Sequence, residues 1–125
     1  MTDAPLMSAV LHGMTVDCAD PVRVARFWCS LLGGELGEDA DLPGWRRVLL
    51  TEPSLVLSFQ PVPESKVCKV RLHLDVTVGE IEDGMAEVAR LGGSFTGERH
   101  DYPGSGVVVV MADPEGNEFC LIQFE

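Results

Sequence analysis

The sequence predicts an α+β fold made of two tandem β-α-β-β-β modules. Three observations predict it. Leu32-Gly33-Gly34 ends a helical pattern and returns as Leu91-Gly92-Gly93. Apolar run, acid-Pro turn and second apolar run surround Glu52-Pro53 and again Asp113-Pro114. A Leu-His pair opens each half, at Leu11-His12 and Leu72-His73. These landmarks recur in the same order, roughly 60 residues apart.

Each element has a local reason. Residues Met1 to Met7 read as a loose leader, and Val10 to Cys18 as the first strand. In it Met14, Val16 and Cys18 share one face and Gly13, Thr15 and Asp17 the other. Asp20-Pro21 starts a helix, Asp as N-cap and Pro at the first helical position. Val24, Phe27, Trp28, Leu31 and Leu32 then recur at helical spacing, so one stripe is buried. A short strand near Glu35-Leu36 and a polar loop from Asp39 to Gly44 follow. Trp45 to Leu50 and Leu55 to Gln60 make a hairpin about Glu52-Pro53, and Pro61-Val62-Pro63-Glu64-Ser65 reads as a linker. The expected boundaries are module one over 8–61, linker 62–68 and module two 69–125.

The second half repeats the plan. Lys69 to Val78 reads as a strand, with His73, Asp75 and Thr77 on one face and Leu72, Leu74 and Val76 on the other, toward the helix. Ile81, Met85, Val88 and Leu91 fit a helix. Ser94 to Glu98 reads as a short strand and His100 to Gly106 as a loop. Val107 to Val110, the Asp113 to Asn117 turn and the Phe119, Leu121, Ile122 run close the chain as a hairpin.

The 125 residues suffice for one domain. Nine basic and twenty acidic residues give a net charge of −11. That balance argues against a nucleic-acid partner and against anionic membrane surfaces. No apolar run approaches the length that spans a bilayer, and a cytoplasmic location is expected. Cys18, Cys29, Cys68 and Cys120 form no C-x-x-C pair and read as buried free thiols. There is no G-x-S-x-G, phosphate-cradling glycine loop, H-E-x-x-H or dinucleotide fingerprint, which removes common hydrolase, nucleotide-binding and metalloprotease readings.

The chain resembles the vicinal oxygen chelate superfamily of glyoxalases, bleomycin-resistance proteins and extradiol dioxygenases. The carrying residues are Asp20-Pro21, Ala25-Arg26-Phe27-Trp28 and Leu31-Leu32-Gly33, then Leu72-His73-Leu74-Asp75, then Asp113-Pro114-Glu115-Gly116-Asn117-Glu118-Phe119. The resemblance covers nearly the whole chain, and the Asp-Pro-Glu-Gly-Asn turn is its most specific piece. It implies a single domain over 1–125 whose two curved sheets form an open cup with helices outside, commonly in a homodimer.

The resemblance also implies four ligand positions for a divalent ion, on the first and last strand of each module. Such an ion acts as a Lewis acid only while exchangeable positions remain. Here those positions read Gly13 (or His12, if a β-bulge re-aims it), Leu57 (or Ser58), His73 and Cys120. His73 and His12 are the candidate metal ligands. His73 with Cys120 is a soft pair suited to zinc. Two plausible ligands are few for this chemistry, so a bound metal is not favoured. Glu118 shares the Cys120 face.

The expected ligand-binding set is Thr15, Asp17, Trp45, Phe59, His73, Asp75, Tyr102 and Cys120, aromatic walls with a few polar anchors. Asp75 beside Arg71 also reads as a structural ion pair, and Asp101 to Gly106 as a lid or a plain surface loop. Two function classes follow. One is a protein that holds a small organic molecule in the cup of a homodimer. The other is a divergent metal-dependent lyase, isomerase or dioxygenase. An interaction module without a pocket is a third, weaker class.

Overall fold

Asp20 and Pro21 start the first helix as their chemistry requires. The Asp20 carboxylate accepts from the Arg23 N–H at 3.2 Å, and Pro21 occupies the first turn. Gly33, at φ 76°, closes the helix in the left-handed region, donating to the Cys29 carbonyl. The computed structural model describes residues 12–38, 42–68 and 72–125. In chain order they form β1 (Gly13–Cys18), α1 (Pro21–Leu32), β2 (Glu35–Glu38), β3 (Arg46–Thr51), β4 (Ser54–Pro61), β5 (Asp75–Thr77), α2 (Ile81–Arg90), β6 (Ser94–Tyr102), β7 (Gly106–Ala112) and β8 (Glu118–Phe124).

The two halves share one topology. The first sheet has strand order β1-β4-β3-β2 and the second β5-β8-β7-β6. In each, the strand before the helix lies parallel to the last strand of its own half, and the other pairs are antiparallel. Neither sheet closes into a barrel, so each ends in edge strands, β1 and β2 in the first and β5 and β6 in the second.

The period-2 pattern sets which face is which. Met14 and Val16 pack against the core and Cys18 is buried, while Thr15 and Asp17 are exposed. The helix side of the first sheet adds Val48, Leu57 and Phe59, all under 2% exposed. On the second sheet Val109, Met111, Phe119 and Leu121 do the same. One core cluster spans both halves. Its centre is a trio of rings: Trp28 lies 4.7 Å and Phe27 6.0 Å from Phe119, all edge-on.

The helix α2 is capped from a distance. Glu80 makes no side-chain cap bond; instead the Ile81 N–H donates to the Gln123 side chain of β8 at 2.7 Å. The Gln near the end of each half thus has a use in module two that its sequence echo alone does not explain.

Three sequence expectations need correction. The stretch from His100 to Gly106 is not a loop: β6 runs on to Tyr102, with His100, Asp101 and Tyr102 paired to Val108, Val107 and Gly106. Only a tight turn remains, closed by the Ser105 N–H on the Tyr102 carbonyl at 2.9 Å. The reason is that β6 is an edge strand, where charged side chains are tolerated; all nine of its residues are exposed and its register shifts between Phe95 and Arg99. Second, Leu72 does not face the helix; it is 73% exposed. Third, Cys68 is exposed and Cys29 and Cys120 are half-buried, leaving Cys18 the one fully buried thiol of the four. The leader, the Asp39–Asp41 part of the polar loop and the Lys69–Arg71 start of the second first strand lie outside the described residues.

Burial, then the nearby carboxylates of Glu115, Asp113, Asp17 and Asp20, push the Cys18 thiol up to about 12 from its ordinary 9.0. The folded state therefore holds this proton when the unfolded chain releases it. Stability contributed by the neutral thiol is intact below pH 9 and falls as pH rises from 9 toward 12. Denaturant melts over that range are expected to show a shallower alkaline loss for Cys18→Ala than for the wild type.

Candidate functional site

The Asp113–Asn117 turn is a clasp. Asp113 is 3% exposed, and its carboxylate accepts from the Glu115 and Asn117 N–H groups at 2.9 Å each and from the Asn117 amide at 3.0 Å. The Trp28 indole approaches the same carboxylate at 3.4 Å. Glu115 then crosses to module one, accepting from the Ala19 and Asp20 N–H groups at 2.7 and 2.6 Å. The Arg23 guanidinium donates to the Pro114 carbonyl. So the turn ties the start of α1 to the start of β8, and a carboxylate sits at the helix N-terminus, where it is favoured.

Beside this clasp lies a cavity of about 420 Å³, within the range that holds small organic ligands. Met14, Val16, Trp28, Leu74 and Phe119 build its apolar walls. The segment from Val62 to Cys68 contributes to its lining, and Asp17, Glu64 and Glu118 bring carboxylates. That segment is anchored at both ends. The Val62 N–H donates to the Cys18 carbonyl at 2.9 Å, and the Lys66 ammonium pairs with Glu118 at 2.8 Å. Both side chains of this pair are about four-fifths withdrawn from solvent, at 21% and 16% exposure. Desolvation strengthens such a charge-assisted bond. Lys66→Met is expected to raise amide exchange across 62–68 while the strands keep their protection, measured by hydrogen–deuterium exchange.

The structure brings only part of the expected set to this cavity. Thr15 and Asp17 line it. Phe59 does not: it is 0% exposed, packed between β4 and the helix. Trp45 is half-buried ahead of β3, where its carbonyl accepts from Arg46 at 2.9 Å, and it is absent from the cavity wall. Tyr102 stands on the far edge strand, 52% exposed and stacked on His100. His73 is half-buried between two cavity-lining leucines without lining the cavity itself. Asp75 pairs in register with Cys120, which puts both on the open face of the second sheet. The Arg71 proposed for Asp75 lies outside the described residues.

The four ligand positions do not converge. Gly13 has no room for a side chain, since a Cβ there would sit 2.0 Å from the Val56 carbonyl oxygen. No bulge re-aims His12, because the β1–β4 register runs unbroken from Gly13 to Cys18. Leu57 is 1% exposed in the core. Among the described residues no three His, Cys, Asp or Glu side chains are placed to hold a metal ion. The described donors therefore do not fit the divalent ion that the resemblance implies.

A family model described as a glyoxalase-like domain matches residues 13–122. The chain belongs to the glyoxalase-like family. Solved structures agree on the fold. A glyoxalase/bleomycin resistance protein/dioxygenase family enzyme from Burkholderia phytofirmans superposes with a TM-score of 0.76 at 16% identity, over 94% of this chain and 100% of its own. A superfamily member from Sphaerobacter thermophilus gives 0.70 at 19% identity, over 94% and 99%. A mutant of the fosfomycin resistance protein FosX from Listeria monocytogenes, complexed with Mn(II) and a dihydroxypropylphosphonic acid, gives 0.74 at 16% identity, over 96% and 95%. No curated protein matches the sequence.

Within this glyoxalase-like domain, sequence reasoning missed the cavity's roof. Residues 62–68 read as a linker because of Pro61, Pro63 and Ser65. The available signal was apolar: Val62 and Val67 interrupt a polar stretch, and Leu72 and Leu74 follow. Trp28 was legible as core, and it is core at 3% exposure, yet one part of it also forms cavity wall.

Proposed function

We propose that this glyoxalase-like protein binds a small organic molecule in the cavity between its two modules. One observation carries the reading: a ligand-sized, mostly apolar hollow is walled by β1, the start of β8 and Trp28, and roofed by an anchored chain segment. The reading moves the binding place from the open sheet faces to the module junction, keeping Thr15 and Asp17 as polar contacts. Asp75 and Cys120 remain candidates on the second sheet's open face, and His73 just ahead of β5. The homodimer is part of the proposal. Leu36 and Leu49 in the first sheet and Tyr102 and Phe124 in the second are exposed apolar side chains that a second copy would cover.

The test is a cavity-filling variant. Val16→Trp places an indole in the hollow, and a wild-type-like circular dichroism spectrum would confirm folding. The wild type is expected to gain thermal stability with members of an aromatic small-molecule panel, and the filled variant to gain none. Equal gains in both would overturn the cavity as the site.

The second reading, a metal-dependent lyase, isomerase or dioxygenase, draws support from FosX, whose structure is described with Mn(II). It needs a ligand set that the described donors alone do not complete. Elemental analysis of purified wild type and His73→Ala decides it: stoichiometric metal lost with the imidazole would favour the enzyme.

A further inference from the structure

The chemistry of the cavity wall also selects for charge. Its walls are apolar where Met14, Val16, Trp28, Val62, Leu74 and Phe119 stand. Among the described residues its charged groups are unbalanced: Asp17, Glu64, Asp113, Glu115 and Glu118 line it with one ammonium, that of Lys66. Most of these carboxylates are already engaged. Asp113 holds its own turn and Trp28, Glu115 holds the start of α1, and Glu118 holds Lys66. The Lys66 charge is thus neutralised inside the wall and offers nothing to an anion. Asp17 and Glu64 are different: both are exposed and neither has a basic partner among the described residues. Both line the hollow, one from β1 and one from the 62–68 segment.

We infer that the junction cavity is selective for a lipophilic organic cation, an aromatic or branched apolar body carrying an ammonium group. The body fills the hollow between Trp28, Leu74 and Phe119, and the ammonium lies at the mouth between Asp17 and Glu64. An apolar wall lowers the local dielectric, so each uncompensated carboxylate counts for more than it would on an open surface. The same field repels carboxylates and phosphates, and the whole-chain charge of −11 acts in the same direction. This inference rests on the junction cavity being the binding site, and the experiment separates the two.

The probes are a charge-reversed pair of matched shape, (2-naphthylmethyl)trimethylammonium and 2-naphthylacetate. Each is titrated into uniformly nitrogen-15-labelled protein and followed by amide chemical shifts, in low and in high salt. The cation is expected to shift the amides of Thr15–Asp17, the 62–68 segment and Phe119, and to bind about tenfold tighter than the anion in low salt. Asp17→Asn and Glu64→Gln each lower cation affinity about threefold to fivefold and leave the anion unchanged or improved. Their own amide spectra report that they are folded. If the anion binds as tightly as the cation at the same amides, the charge selectivity is overturned and the cavity stands. If neither probe moves those amides, the cavity reading fails and the selectivity fails with it.

Discussion

Replacing Phe119 by Ala costs about 3–5 kcal/mol of unfolding free energy. Phe119 is 1% exposed, and its ring meets both Phe27 and Trp28 of the other module. Deleting it removes the transfer energy of a buried ring and leaves a hollow that cannot collapse. The two neighbouring rings are held by α1, and the strand beneath is held by β7. The void also opens into the existing cavity, so water enters the joint between the modules. Urea melts monitored by far-ultraviolet circular dichroism measure the loss. Phe119→Leu keeps most of the volume and is expected to cost about 1–2 kcal/mol. Equal, small losses for both variants would mean that the three-ring cluster does not join the halves.

Asp113→Ala is expected to cost about 3 kcal/mol, with a fall in Tm of about 10 °C. The carboxylate satisfies the Glu115 and Asn117 N–H groups, the Asn117 amide and the indole of Trp28. Removing it strands part-buried donors around a residue that is itself 3% exposed, and an unsatisfied donor withdrawn from water costs more than the bond it once made. Without the turn, Glu115 no longer caps the start of α1, and the effect reaches module one. Asp113→Asn keeps the shape and one acceptor oxygen, so roughly half the loss is expected. Differential scanning calorimetry reads both. A normal Tm for Asp113→Ala would show that the turn is ornamental to the fold.

These two residues explain what the sequence made legible. The Asp-Pro-Glu-Gly-Asn turn announces itself through residue types that few other structures need, and its place before a strand follows from turn chemistry alone. The duplicated plan was legible for the same reason: Asp20-Pro21, Leu32-Gly33-Gly34 and Glu52-Pro53 are local signals with local causes. What the turn holds is not local. Glu115 reaches Ala19 across the chain, and no periodicity shows that contact. The face of β1 was legible from alternation, which puts Thr15 and Asp17 together on its exposed side. Phe59 and Tyr102 were misplaced as pocket walls because an aromatic on a strand carries no mark of which face is covered. Phe59 pairs in register with Val16, on the helix side, and is sealed there. Tyr102 fell on a stretch whose Gly and Pro suggested a loop, although most of that stretch is paired. The cavity roof over 62–68 was hidden by its prolines.

A crystal structure of the protein soaked with (2-naphthylmethyl)trimethylammonium tests the central claim most directly. The account predicts density for the naphthyl group between Met14, Trp28 and Phe119, beneath the segment from Val62 to Cys68, with the ammonium within ion-pair reach of Asp17 or Glu64. Density instead on the open sheet face between His73 and Cys120, with the junction empty, would contradict it.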